Sequence, residues 1–119
     1  MSKKILIVDD EPDIIDFQKA FLSRRKHEVL TAINAAEAME KITRESPDIV
    51  FCDVRLDTDT AGLDILEQAK KFKPGIIVYL VTGLLEKDIE IRGLAAGARE
   101  ILTKPVSNEV LEKKVIEVG

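Results

Sequence analysis

Three acids stand together at Asp9, Asp10 and Glu11, directly after the apolar run "ILIV" at 5–8. Another, Asp53, closes the run "DIVFCD" at 48–53. Thr82 closes "IIVYLVT" at 76–82, and Lys104 and Pro105 follow "REILT" at 99–103. Like charges packed at the end of a buried strand disfavour their own ionisation unless a positive group shares the site. A hard divalent cation such as Mg²⁺ takes a few carboxylates and keeps waters besides. Carboxylates, a cation, a lysine and a hydroxyl together are equipment for a phosphoryl group, whose transfer needs positioning and charge stabilisation above all. An aspartate is itself a covalent acceptor of phosphate and, being ionised, needs no base to activate it.

That chemistry requires the residues to meet, so the elements carrying them decide the matter. With the run "EVLTA" at 28–32 there are five short apolar runs, several of them continuous rather than alternating. Continuous runs suit strands covered on both faces, as in a parallel sheet. Helical patterns separate them. After Pro12, a good first-turn residue, Ile14, Phe17, Phe21 and Leu22 fall on one stripe. Asn34 and Glu37 resemble a capping box before Ala38, Met39 and Ile42. Leu63, Leu66, Ala69 and Phe72 repeat at helical spacing until Pro74 and Gly75 stop them. Residues 86–96 carry Ile89, Ile91, Leu94 and Ala95, and Ser107 caps a last helix with Val110, Leu111 and Val115.

The expected fold is therefore α/β: five β-α units, parallel strands with right-handed crossovers, and helices on both faces in a three-layer sandwich. Ligands in such open sheets sit beyond the carboxyl ends of the strands. In a flavodoxin-like (βα)5 order, 2-1-3-4-5, the first and third strands are neighbours, and Asp9, Asp10 and Asp53 converge.

Composition fits this picture and excludes others. The chain has 119 residues, enough for one domain, taken as 1–119, with 45% hydrophobic and 34% charged residues. Its net charge of -4 speaks against a nucleic-acid-binding face. The longest apolar run, 76–81, is too short to span a bilayer. "MSKK" leads straight into a strand with no signal peptide, and Cys52 is the only cysteine, so a cytoplasmic location is expected. Cys52 is expected as a buried thiol, Phe51 and Tyr79 as core, and His27, the only histidine, as solvent-facing.

On these residues the sequence resembles the receiver domains of two-component response regulators over nearly its whole length. "VDDEP" is similar to the family's acidic pair, and Asp53 in "DIVFCDVRL" to its phosphorylated aspartate. "VTG", with Thr82 and Gly83, resembles the strand-four Thr/Ser motif, and "LTKP" the lysine followed by a cis-proline, here Lys104 and Pro105. The resemblance implies Mg²⁺ (or Mn²⁺) held by Asp10 directly, by Asp9 mainly through water, by Asp53 and by the backbone carbonyl of Arg55. It implies that the phosphodonor is a phosphohistidine on a sensor histidine kinase or a histidine phosphotransfer domain. It further implies output to an attached domain or a partner through the face of helix 4, strand 5 and helix 5, with homodimerisation on phosphorylation. The domain would catalyse only its own phosphorylation and dephosphorylation. It would stand alone or form the N-terminal part of a longer protein.

Rival readings meet specific obstacles. A phosphatase with an Asp nucleophile needs a second acid two positions later, where Arg55 stands. A nucleotide- or flavin-binding module needs a glycine- or serine-rich first loop, where "DDEPD" stands. A non-phosphorylated pseudo-receiver, an interaction module, is the alternative, yet such domains usually lose the acids, the aspartate or the lysine. The sequence departs from the family in two places. "VRLDTDTAG" lacks the usual proline, is one residue longer and brings Asp57 and Asp59 near the site, to tune metal affinity or stay solvated. Ile101 replaces the switch aromatic, preceded by Arg99 and Glu100. Stiff and short, Ile101 cannot sweep from solvent to interior, so switching is expected from loop 83–86 and the following helix.

Overall fold

The computed structural model describes residues 3–84 and 86–118. Elements alternate along the chain: β1 (Lys4–Val8), α1 (Pro12–Ser23), β2 (Glu28–Ala32), α2 (Ala35–Glu45), β3 (Ile49–Asp53), α3 (Ala61–Phe72), β4 (Ile77–Thr82), α4 (Lys87–Ala95), β5 (Glu100–Thr103) and α5 (Asn108–Val118). All strand pairs are parallel, as the continuous apolar runs implied, and the sheet order is β2-β1-β3-β4-β5, the expected flavodoxin-like order. Every expected element is present, and the boundaries shift by one residue or two at most.

Two apolar layers sandwich the sheet. On one face Leu6, Val8, Val50, Cys52, Val78 and Leu80 pack against α2 and α3 through Ala38, Ile42, Leu63, Leu66 and Ala69. On the other face Ile5, Ile7, Phe51 and Tyr79 meet Leu22 of α1 and Leu111 and Val115 of α5. Strand alternation makes this division, because successive side chains leave a strand on opposite faces. Phe51 and Tyr79 stack at 5.1 Å and an interplanar angle of 13°. Local signals act as the sequence implied. Asn34 Oδ1 accepts the Glu37 amide at 2.8 Å, and Ser107 Oγ accepts the Val110 amide at 3.2 Å.

The helical stripes needed correction. On α1 the buried residues are Ile15 and Leu22, whereas Ile14 and Phe17 are exposed, Phe17 by 68%. The apolar arc of α1 is wider than its contact with the sheet, and periodicity alone does not say which margin is covered. Phe72 at the end of α3 and Val110 at the start of α5 also face outward, where each helix overhangs the layer. On α4, Ile91 and Leu94 are exposed; the one buried residue is Gly93, with Ile89 partly covered. His27 is half-buried rather than solvent-facing: its Nδ1 accepts the Lys3 amide at 3.0 Å, and burial pulls its pKa down. Cys52 is fully buried, and that burial pushes its thiol far up, out of reach of reaction.

Candidate functional site

Parallel strands deliver all their C-terminal ends to one edge, and the sheet order decides which ends are neighbours. Val8 is level with Cys52, so the residues that follow, Asp9 and Asp53, emerge side by side. The Val54 amide donates to the Val81 carbonyl at 2.9 Å, and the Lys104 amide to the Thr82 carbonyl at 2.8 Å. These bonds carry the ladder one step past the strands and fix the loops that hold the side chains. Asp9 and Asp53 are buried and Asp10 is exposed. One oxygen from each of the three lies within 4.8 Å of the others.

Lys104 reaches into this cluster. Its Nζ donates to Asp53 Oδ2 at 2.7 Å and lies 3.4 Å from Asp9 and 3.6 Å from Glu11. Burial pushes the Asp53 carboxyl up to about 6; the bond and charge of Lys104 pull it down, and Asp9 and Asp10 push it up again. Burial also works against the Lys104 ammonium, but the bond and charge of Asp53, with Asp9, outweigh it and hold the lysine above its ordinary value. The same contact thus secures the lysine's charge and only partly relieves the aspartate's. One ammonium does not neutralise three acids.

The remaining imbalance fits a divalent cation. Three carboxylate oxygens within a sphere of this size, with Asp10 open to solvent, match the oxygen ligands and retained waters that Mg²⁺ or Mn²⁺ prefer. Asp9 Oδ1 also accepts the Glu11 amide at 3.0 Å, which holds its carboxylate in place. The N-cap position of α1 is Glu11, which makes no side-chain cap bond.

The other residues singled out from the sequence lie around this centre. Thr82 is buried and its hydroxyl is occupied locally, donating to the Leu84 carbonyl at 3.0 Å and accepting the Leu84 amide at 3.3 Å. Gly83 is exposed, and the Lys104–Pro105 peptide is cis. The Arg55 guanidinium turns away to Glu86, 3.0 Å distant. Asp57 leaves the acid cluster: its Oδ1 accepts the Ala35 amide at 3.1 Å, adding a second cap to α2 beside Asn34. Ile101 is partly buried, packed against the α2–α3 layer. In the expected moving loop 83–86, residue 85 lies outside the described residues.

Sequence reasoning passed over Gly62. Its amide donates to the Val54 carbonyl at 2.9 Å, and a Cβ there would lie 2.6 Å from Val54 Cα and inside contact distance of the Asp53 carbonyl oxygen. Only glycine lets α3 approach the backbone of Asp53 so closely. The glycine closing "DTDTAG" is the signal that could have found it. Also unforeseen is a groove of about 600 Å³ that runs from Asp9 and Lys104 between α1 and α5, floored by Phe51, Val81 and Leu111 and edged by Phe17.

Comparison with known proteins agrees with this geometry. The sequence model of the family described as response regulator receiver domain matches residues 5–116. The chain is 40% identical over 104 residues to the response regulator protein PilR of Pseudomonas aeruginosa, covering 87% of this chain and 23% of that protein. It is 33% identical over 115 residues to the alkaline phosphatase synthesis transcriptional regulatory protein PhoP of Bacillus subtilis, covering 97% of this chain and 48% of that one. The chain thus spans between about a quarter and a half of these relatives. Among solved structures, a CheY-like response regulator receiver domain protein from Methanospirillum hungatei superposes with a TM-score of 0.92 at 36% identity, covering 98% of this chain and 93% of that one.

Proposed function

The chain belongs to the response regulator receiver domains, and from that membership we propose that it accepts a phosphoryl group on Asp53 in the presence of Mg²⁺ or Mn²⁺. The carrying observation is the Lys104–Asp53 contact at 2.7 Å inside a cluster that also holds Asp9 and Asp10. Lys104 holds Oδ2 and leaves Oδ1 to form the new bond. The donor is a phosphohistidine of a sensor kinase or phosphotransfer domain. Asp53 Oδ1 bonds to phosphorus, the P–N bond breaks, and its electron pair returns to the imidazole. A divalent cation held by Asp9, Asp10, Asp53 and the Arg55 carbonyl would supply charge neutralisation at the phosphoryl oxygens. Lys104 offers an ammonium to one phosphoryl oxygen and Thr82 a hydroxyl to another once it lets go of Leu84. The apolar groove beside the site, with Phe17 and Ile14 at its edge, supports docking of the donor's helical face there. Output passes through the face of α4, β5 and α5 to a domain of the same chain or a separate protein, and the receiver unit is the whole of 1–119.

The experiment is incubation with phosphoramidate, a small P–N donor, with and without Mg²⁺. The reading expects one acid-stable, base-labile phosphoryl group that appears only with the metal and is absent from Asp53→Asn. Metal-independent labelling, or labelling of the Asn variant, would overturn it.

A further inference from the structure

Helix α4 rests on the domain at two named places. Towards its C-terminal end is Gly93, where a Cβ would lie 2.8 Å from Ile101 Cδ1 and 2.9 Å from Leu80 Cδ1. The helix backbone therefore sits directly on β4 and β5, and Ile101 fills the space a larger residue at 93 would take. At the other end is Glu86, the N-cap residue, which makes no side-chain cap bond. Its carboxylate instead accepts from Arg55 Nη2 at 3.0 Å.

Arg55 is two residues past Asp53, in the loop between β3 and α3. The ion pair therefore joins the loop leaving Asp53 to the start of α4. Arg55 and Glu86 line a polar cavity of about 220 Å³ together with Thr60 and Thr82, so the pair borders the same hollow as the switch threonine. A guanidinium binds phosphoryl oxygens through paired, charge-assisted hydrogen bonds, whereas its tie to Glu86 is one Nη2–Oε1 bond at an exposed position. Glu86, for its part, has a second source of stabilisation in the positive end of α4, shared with Asp88 and Glu90.

We propose that Arg55 is a positioning residue that relays the state of Asp53 to α4. Its guanidinium leaves Glu86 for the phosphoryl oxygens, and the first turn of α4 loosens about the Gly93 seat. The inference rests on Asp53 being the phosphorylated residue. Both side chains of the pair are about half exposed, 55% and 49%, so the tie biases the helix without locking it. Exposed pairs of this kind shift a local equilibrium by about two- to five-fold.

Amide hydrogen exchange along residues 86–92 tests the relay, with beryllofluoride and Mg²⁺ standing in for the phosphoryl group. Glu86→Gln keeps size and shape at an exposed position. In the unliganded protein, Glu86→Gln and Arg55→Ala are each expected to speed exchange of the amides at 90–92, the first in α4 to bond within the helix, about two- to five-fold. Beryllofluoride is expected to bring the wild type to a similar rate and to add little in Glu86→Gln. Equal acceleration by beryllofluoride in the wild type and Glu86→Gln would overturn the relay, as would unliganded variants that exchange like the wild type. If the Asp53 amide resonance does not respond to beryllofluoride, the phosphorylation reading itself fails and takes the relay with it. A response at Asp53 with α4 exchange unchanged removes the relay alone.

Discussion

Lys104 Nζ and Asp53 Oδ2 lie 2.7 Å apart, joining the loop after β5 to the end of β3 across the intervening strand β4. The aspartate is almost fully buried and the lysine about a quarter exposed, so each is the other's main compensation. Lys104→Ala leaves Asp53 buried between Asp9 and Asp10. The variant is expected to fold and to accept phosphate, but with stability at neutral pH lower by about 1–3 kcal/mol, the cost of an unpaired buried polar group. Urea denaturation at pH 7 and pH 5 checks this, and the deficit should shrink at pH 5 as Asp53 takes up a proton.

The wild-type protein has a pH dependence of its own. Burial raises the folded-state Asp53 carboxyl to about 6, above its unfolded value near 4. The folded state then holds more protons than the unfolded one between those values, so this group's contribution to stability falls as pH rises through that window. Metal-free protein should lose about 2 kcal/mol from this source between pH 4 and pH 7, against whatever other groups contribute. The difference between wild type and Asp53→Asn in chemical denaturation isolates it. A difference that stays constant from pH 4 to pH 7 would contradict the assignment.

Gly62 carries a steric prediction. A methyl group there meets backbone atoms of Asp53 and Val54, which have no rotamer to escape into. Gly62→Ala should cost about 2–3 kcal/mol, at the upper end of overpacking effects, and should slow phosphorylation because Asp53 must shift. Thermal melts together with labelling rates check both parts. A variant as stable as the wild type would mean that α3 can retreat freely.

Asp10 tests the metal reading from the opposite direction. Asp10→Ala should abolish Mg²⁺ binding in calorimetry while metal-free stability holds or rises, because one of three crowded like charges is gone. A metal-free variant clearly less stable than the wild type would instead assign Asp10 a structural role at the start of α1.

The order of elements and the edge where the acids gather were legible because the signals were strong. Continuous apolar runs led into Asp9, Asp53, Thr82 and Lys104, and their alternation with helices implies parallel strands, while the strand order is that of the flavodoxin-like pattern. What escaped was mostly decided by the neighbours of a residue rather than its type. Nothing in the spacing of Ile14, Ile15 and Phe17 tells which margin of α1 meets the sheet, because all three lie within one broad apolar arc. Asp57 lies near the site in sequence, where it could tune metal affinity or stay solvated; it is exposed, and it accepts the Ala35 amide at the start of α2. Gly93 passed unremarked among larger apolar residues, although its lack of a side chain is what seats α4 on Ile101. Ile101, too short and stiff to sweep from solvent to interior, is already partly buried against the α2–α3 layer.

The central claim is that Asp53 carries the phosphoryl group, and chemical trapping of the acyl phosphate tests it most directly. Protein labelled with a small phosphodonor and Mg²⁺ is reduced with borohydride, which converts a phosphorylated aspartate to homoserine, and the peptides are sequenced by mass spectrometry. The account predicts homoserine at position 53 and at no other aspartate, including Asp9, Asp10, Asp57 and Asp59. Homoserine at any of those positions, or a phosphorylated protein that yields none at 53, would contradict it.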